Sequence, residues 1–411
     1  MRREVEFLAD TVGNRYPGSD GDLMARKHIS QHFSKCGLES SGQTFEIVER
    51  IWGEGSLQLL ADGVETDFIF GKDFDVAGRS ATDTLEAAYV VAAGALPDSL
   101  HCLMRNKVVI CLQRTPTDGN GARVLSMADV IRAGGLAMVS VIPQNMKITH
   151  RESSGNRAHL PRPIPVLSIS SDSLPSFIPR NVADSMSAGS IYTAPESNRI
   201  RIATRHCEKR IQAANIIGLK RGNSGKFILI GAHFDTCAPD PETGEVRSGA
   251  NDNASGVAVM MALAEHLGKT GTNHNILFIA FGGEEKGCLG SQYFVSRMPF
   301  AKDDIIEMIN IDMAGRMEHN TLYYKQYNST PITPESIGAT DIRLIDKAGG
   351  LSDHTDFVAA GVPATYLTTG EDSAIHTPSD TSDRLNYEGM TKIIGFLFGY
   401  IRELQGKSLD F

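Results

Sequence analysis

Five short stretches of the chain hold the residue types that bind cations or move protons. Gly231-Ala-His233-Phe-Asp235 sets an imidazole and a carboxylate two positions apart. In extended backbone such residues face the same way, so Asp235 can hold the His233 ring from behind. Gly249-Ala-Asn-Asp252-Asn-Ala-Ser-Gly256 puts an acid in a Gly-rich turn ahead of an apolar helix, a place that an N-cap would also fill. Gly282-Gly283-Glu284-Glu285 ends an apolar run with two adjacent carboxylates, which are costly to desolvate without a cation or a shared proton. Asn310-Ile-Asp312-Met repeats the theme, and Ser373-Ala-Ile-His376-Thr-Pro-Ser-Asp380 offers a loop histidine with an acid four residues on. Alone, each stretch has a bland explanation: a surface hydrogen bond, a helix cap, a solvated turn. Five such accidents on one rim multiply to a small probability. Two histidines and three carboxylates are what a pair of borderline divalent ions needs, with one carboxylate bridging them and zinc favoured.

The elements that must carry these stretches follow from hydrophobic period. From about Arg199 onward strands and helices alternate: strand Lys226–Ala232, helix Ser255–Leu267, strand Asn275–Phe281, helix Leu289–Arg297, strands Ile305–Ile311 and Ala364–Leu367, and a closing helix Tyr387–Leu404. That alternation predicts an α/β fold with a mostly parallel central sheet flanked by helices, whose ligands sit beyond the carboxyl ends of the strands. Two short helices open the chain, the second over Asp22–Cys36 and ended by Gly37. Between about Ile47 and Gly189 the texture changes to short strands, Ala87–Ala93, Lys107–Gln113, Leu136–Ile142 and Ile164–Ile169, with one helix over Val124–Ala133. This predicts a small, separate β-rich domain. Its Lys147–Arg162 loop, with His150 and His159, is polar and reads as exposed.

Across Lys226–Asp383 the motifs His233-x-Asp235, Gly-Ala-Asn-Asp252-Asn, Glu284-Glu285, Asn-Ile-Asp312-Met and His376-Thr-Pro-Ser-Asp380 stand in the order found in one family. The chain resembles the di-zinc exopeptidases: bacterial leucine aminopeptidases, glutamate carboxypeptidases and, with altered chemistry, glutaminyl cyclases. The resemblance implies a three-layer zinc-exopeptidase-like domain, 1–46 with 190–411, interrupted at 47–189 by a protease-associated-like insertion. It implies two zinc ions, with manganese or cobalt as alternatives. His233 and Asp312 would hold one ion and Glu285 and His376 the other, with Asp252 bridging and Asp235 orienting His233. Glu284 would be the general base that takes the proton of the attacking water and passes it to the leaving amine. Asp380 would fix the His376 tautomer, and Ser352-Asp353-His354 resembles a family segment near the site. The implied activity is removal of N-terminal residues from peptides. A carboxypeptidase or dipeptidase on the same scaffold needs a cationic clamp, for which Arg316 is the candidate. A glutaminyl cyclase and a non-catalytic binding protein are the remaining alternatives.

Composition narrows the field further. With 40 basic against 49 acidic residues in 411, a net charge of -9, a broadly cationic surface for nucleic acid is not expected. No apolar run approaches the roughly 20 residues of a membrane span, so no membrane partner is expected either. Peptides are the expected partners, and the oligomeric state is open. Six scattered cysteines without CxxC spacing suit a reducing compartment, and cytoplasm is the expectation unless a leader precedes the numbering. Cys237 and Cys288 stand near the motifs, but a fully supplied site leaves them packing roles.

Overall fold

The computed structural model describes residues 1–112, 124–143, 146, 148, 162–240, 243–329, 331, 341–347 and 350–406. Most of the 147–162 loop, His150 and His159 included, lies outside the described residues. The chain divides into two units, Met1–Ile47 with Ile211–Phe411, and Val48–Arg210.

The first unit opens with a short helix, Arg2–Glu6, and a wider turn over Phe7–Val12. Helix Asp20–Lys35 follows, two residues earlier than its apolar period suggested, because the Ser19 side chain accepts from Asp22 N–H and starts it. Strand β1 (Glu39–Ala61) leaves this unit at Ile47.

In the second unit β2 (Val64–Phe68) pairs with β1. It is followed by β3 (Phe74–Val76), β4 (Asp83–Ala87), β5 (Tyr89–Ala93), β6 (Val108–Leu112), β7 (Ala137–Ile142), β8 (Val166–Ser170) and β9 (Ser190–Thr193). The expected Ala87–Ala93 strand is β5 from Tyr89 on, paired with β6, while Ala87 ends the preceding β4, which pairs with the returning strand β10 (Arg199–Lys220). Strands β5 to β8 form a parallel run, edged by antiparallel β9 on β5 and β3 on β8. The unit expected to be β-rich therefore has a parallel α/β centre. Val91, Val108 and Ile110 face one apolar cluster, and Val90, Val109 and Cys111 the other, the period of 2 that a sheet buried on both faces requires. Helix Met127–Arg132, begun by a Ser126–Asp129 capping box, adds Val130 to the second cluster.

Back in the first unit the strands are β11 (Phe227–His233), β12 (Asn275–Phe281), β13 (Ile305–Ile311), β14 (Thr321–Tyr327), β15 (Arg343–Asp346) and β16 (Ala364–Thr368). Sheet order is β15-β14-β16-β13-β11-β12-β10-β1. The centre is parallel, β12 and β13 both on β11 and β16 on β13, while β10 on β12 and β14 on β16 run antiparallel. Ile228, Ile230, Ile276 and Phe278 face a cluster shared with helices Asp20–Lys35, Gly256–Leu267 and Tyr387–Leu404. Leu229, Leu277 and Ile279 face Phe294 and Phe357, carried by helices Leu289–Ser296 and His354–Ala359. The result is helix, sheet, helix: three layers with the parallel strands at the middle. Among the described residues no helix is long and apolar enough to cross a membrane.

Candidate metal centre

Three neighbouring strands of the first unit end on the same side of the sheet, and each delivers acids or a histidine there. His233 is the last residue of β11, and its successor Phe234 bonds the carbonyl of Phe281 at the end of β12 (2.9 Å). Gly282 and Gly283 then turn the chain so that Glu284 and Glu285 start a single helical turn. Gly283 has φ +79°, a left-handed conformation that glycine adopts without strain. Asp312 follows β13, its N–H donating to Leu367 O on β16 (3.0 Å). Asp252 comes from the turn before helix Gly256–Leu267, and His376 from the loop after β16.

These side chains meet. His233 Nε2 lies 3.1 Å from Asp252 Oδ1 and 3.3 Å from Asp312 Oδ1. On the other side His376 Nε2 lies 3.0 Å from Asp252 Oδ2 and 3.2 Å from Glu285 Oε2. The two oxygens of Asp252 thus face two separate histidine–carboxylate pairs. The ligand atoms of His233, Asp252 and Asp312 all lie within 4.8 Å of one another, as do those of Cys237, Glu285 and His376. His233 is buried, whereas the His376 side chain is 50% exposed, so the cluster opens to solvent on that side.

The supports are more extensive than local motifs suggested. Asn253 Oδ1 accepts from Gly256 N–H (3.0 Å) and from Met313 N–H (3.1 Å), so it is Asn253, not Asp252, whose side chain meets the start of the helix. Asn251 Oδ1 accepts from Gly315 N–H (2.8 Å) and Ser255 Oγ from Ala314 N–H (2.8 Å). The turn holding Asp252 is therefore laced to the loop holding Asp312. Asp380, expected behind His376, instead accepts from the backbone N–H groups of Asn251 (2.9 Å) and Asp252 (3.0 Å). Asp235 likewise accepts from the N–H groups of Glu284 (3.0 Å) and Glu285 (3.2 Å), with His233 Nδ1 at a looser 3.7 Å.

Arg15 is the support that local reading missed. Fully buried, its guanidinium donates to the carbonyls of Phe234 (2.7 Å), Leu8 (2.9 Å), Gly13 (3.1 Å), Ser248 (2.6 Å) and Gly249 (2.9 Å). It joins the amino-terminal segment to the ends of both ligand-bearing loops. Leu8 and Gly13 are near it in sequence, but Phe234, Ser248 and Gly249 lie more than 200 residues away, beyond the reach of any local pattern.

The electrostatics are those of crowded carboxylates. Burial and the neighbouring charges of Asp312, Asp353 and Glu285 push the Glu284 carboxyl well up, against the opposing pull of His233. Burial and Asp252 push Glu285 up to about 7. Burial opposes charge on both partners of the bridge, yet hydrogen bonds from His233 and His376 win and hold Asp252 low. The hydrogen bond to Asp252 raises His376 to about 9, and Glu284 and Asp312 outweigh burial to raise His233. This donor set, oxygen-rich with two imidazoles and short of cations, fits a pair of divalent ions well.

The residues given packing or alternative roles are placed as follows. Cys237, expected to pack, donates its thiol to Glu285 Oε2 at 3.0 Å. Arg316 is already engaged, by Asp372 (3.0 Å) and Asp380 (3.3 Å), with 14% of its side chain exposed. His354 is fully buried and stacked on Tyr366, ring centroids 4.6 Å apart. Cys288 Sγ donates to Glu284 Oε1 at 3.6 Å.

Known proteins give this geometry a family. Residues 215–400 match the model of peptidase family M28. Aminopeptidase YwaD of Bacillus subtilis is 31% identical over 194 residues, covering 42% of this chain and 41% of that protein, so the chain spans about two fifths of that curated relative. The solved structure of BSAP, a zinc aminopeptidase from Bacillus subtilis, superposes with a TM-score of 0.55 at 20% identity, covering 98% of this chain and 93% of the other. Fimbriiglobus ruber glutaminyl cyclase does so with a TM-score of 0.50 at 15% identity, covering 98% and 93%. At those identities the superpositions establish the three-layer fold alone. The sequence match reaches further, since residues 215–400, which carry all the motif residues from His233 to Asp380, are similar to peptidase family M28.

Proposed function

We propose that the protein is a co-catalytic two-metal aminopeptidase that hydrolyses the N-terminal peptide bond of peptides. The observation that carries this reading is Asp252, whose two oxygens face His233 with Asp312 on one side and His376 with Glu285 on the other. In it, His233 and Asp312 would hold one zinc ion and Glu285 and His376 the second, with the Asp252 carboxylate shared between them. When bound, the ions acidify a water and polarise the scissile carbonyl. Glu284 takes the proton of the attacking water and returns it to the leaving amine. Asp235 keeps Glu284 and Glu285 in register by holding both backbone N–H groups. A cavity of about 210 Å³, lined in part by Met313, the residue after Asp312, and by Tyr323, Tyr324, Tyr366, Thr368 and Lys347, supports a place for the terminal side chain. The pairing of Arg316 with two aspartates disfavours the carboxypeptidase alternative, because the candidate clamp is already neutralised.

A peptide panel tests the reading: each peptide with a free or acetylated amine and a free or amidated carboxyl, before and after chelation and zinc return. Cleavage that chelation stops, acetylation blocks and amidation spares is the expected result. Blocking by amidation alone would make it a carboxypeptidase, and cyclisation of N-terminal glutamine without cleavage would make it a cyclase.

A further inference from the structure

The second half of the cluster contains a residue that the proposed ligand set does not use. Cys237 Sγ, Glu285 and His376 form a three-residue group whose ligand atoms lie within 4.8 Å of one another, matching the group of His233, Asp252 and Asp312 on the other side of the bridge. The thiol points at Glu285 Oε2, the same oxygen that lies 3.2 Å from His376 Nε2. Cys237 stands two residues past Asp235, whose carboxylate is tied to the Glu284 and Glu285 N–H groups. The backbone that carries the thiol is thereby held against the turn that carries Glu285.

We propose that Cys237 is a thiolate ligand of the second metal ion, alongside Glu285, His376 and the bridging Asp252. The inference rests on the two-metal reading above and adds to it. It makes the two halves of the centre chemically unequal: an imidazole with two carboxylates on one side, and a thiolate, an imidazole and two carboxylates on the other. Soft thiolate favours zinc and cadmium over manganese, so the second site becomes the more zinc-selective of the two. Ligation breaks the Sγ–H bond, forms a sulfur–metal bond and releases the proton to solvent. No electrons are exchanged, and a nearby cation is what allows a coordinating thiol to stay deprotonated. The inward-facing Cys288 lies instead by Glu284, on no proposed ligand group, and serves as the internal control.

The test is cobalt(II) loading of the whole chain, followed by absorption in the near ultraviolet, where thiolate-to-cobalt charge transfer appears, and in the visible, where cobalt itself absorbs. The wild type is expected to take two equivalents and to show the charge-transfer band with the second. Cys237→Ser should keep the visible bands and lose the ultraviolet one, and Cys288→Ser should keep both. Manganese should compete for the second site more effectively in Cys237→Ser than in the wild type. Two bound cobalt ions without the band, or an equal band in Cys237→Ser, would overturn the thiolate ligand and leave the two-metal reading standing. A chain that binds no cobalt would overturn both.

Discussion

The two units are built around the same device, a run of parallel strands buried on both faces, yet among the described residues only one of them gathers metal-type side chains at the strand ends. In the first unit β11, β12 and β13 end in His233, in Gly282-Gly283-Glu284-Glu285 and in Asp312. In the second, β5 ends at Ala93-Gly94, β7 at Ile142-Pro143 and β8 at Ser170-Ser171. That second rim also borders a cavity, about 470 Å³ and lined in part by Leu112, Ile142, Pro143, Asp172 and Arg180. Among the described residues it has no group of three histidines, cysteines or acids within ligand distance. A parallel sheet offers a place beyond its carboxyl ends, and the side chains put there decide whether the place has chemistry.

Removing the chemistry from the first rim should make it as inert as the second. Asp252→Ala takes the shared carboxylate from both halves of the centre, so elemental analysis should find neither zinc ion retained and turnover should vanish. Full zinc occupancy in that variant would break the comparison. Glu284→Gln keeps the five residues of the proposed ligand set and removes the base, so zinc content should stay at the wild-type level while kcat falls by about 10²–10⁴-fold. Asp380→Ala acts through Asp252, whose backbone N–H it accepts at 3.0 Å. A zinc competition titration should show affinity weakened by about 10–100-fold, and rescue in Asp380→Glu would separate positioning from general loss of fold. The smallest effect is expected on the second rim, where Asp172→Asn with Arg180→Ala should change neither zinc content nor kcat.

The proposed ligands were legible because all but the loop residue His376 sit in a short motif where an apolar strand or helix begins or ends, and the rule for parallel sheets brings such ends to one rim. His233, Asp252, Glu285, Asp312 and His376 needed only that rule and the family resemblance. Their supports were not legible in the same way. Asp235 shares a strand face with His233 only while the backbone stays extended, and it lies beyond the end of β11, so its oxygens turn to the Glu284 and Glu285 N–H groups. Asp380 reaches back 128 residues to Asp252, and Arg15 reaches forward 219 to Phe234, distances over which no local pattern carries information. Strands β1 and β10 were missed for a different reason. Each runs for more than 20 residues with exposed and charged positions breaking the alternation, so neither shows the compact apolar run of β11 or β12. Cys237 was read as packing because the ligand set looked complete without it, and its 3.0 Å approach to Glu285 is a contact that no local motif announces.

The most direct measurement is zinc content and turnover of a free-amine peptide, determined together on dialysed wild-type chain and Glu284→Gln. Two zinc ions per chain in both proteins, with turnover confined to the wild type, is the predicted result. A Glu284→Gln variant that cleaves at the wild-type rate, or a wild-type chain that cleaves with no bound metal, would contradict the two-metal account.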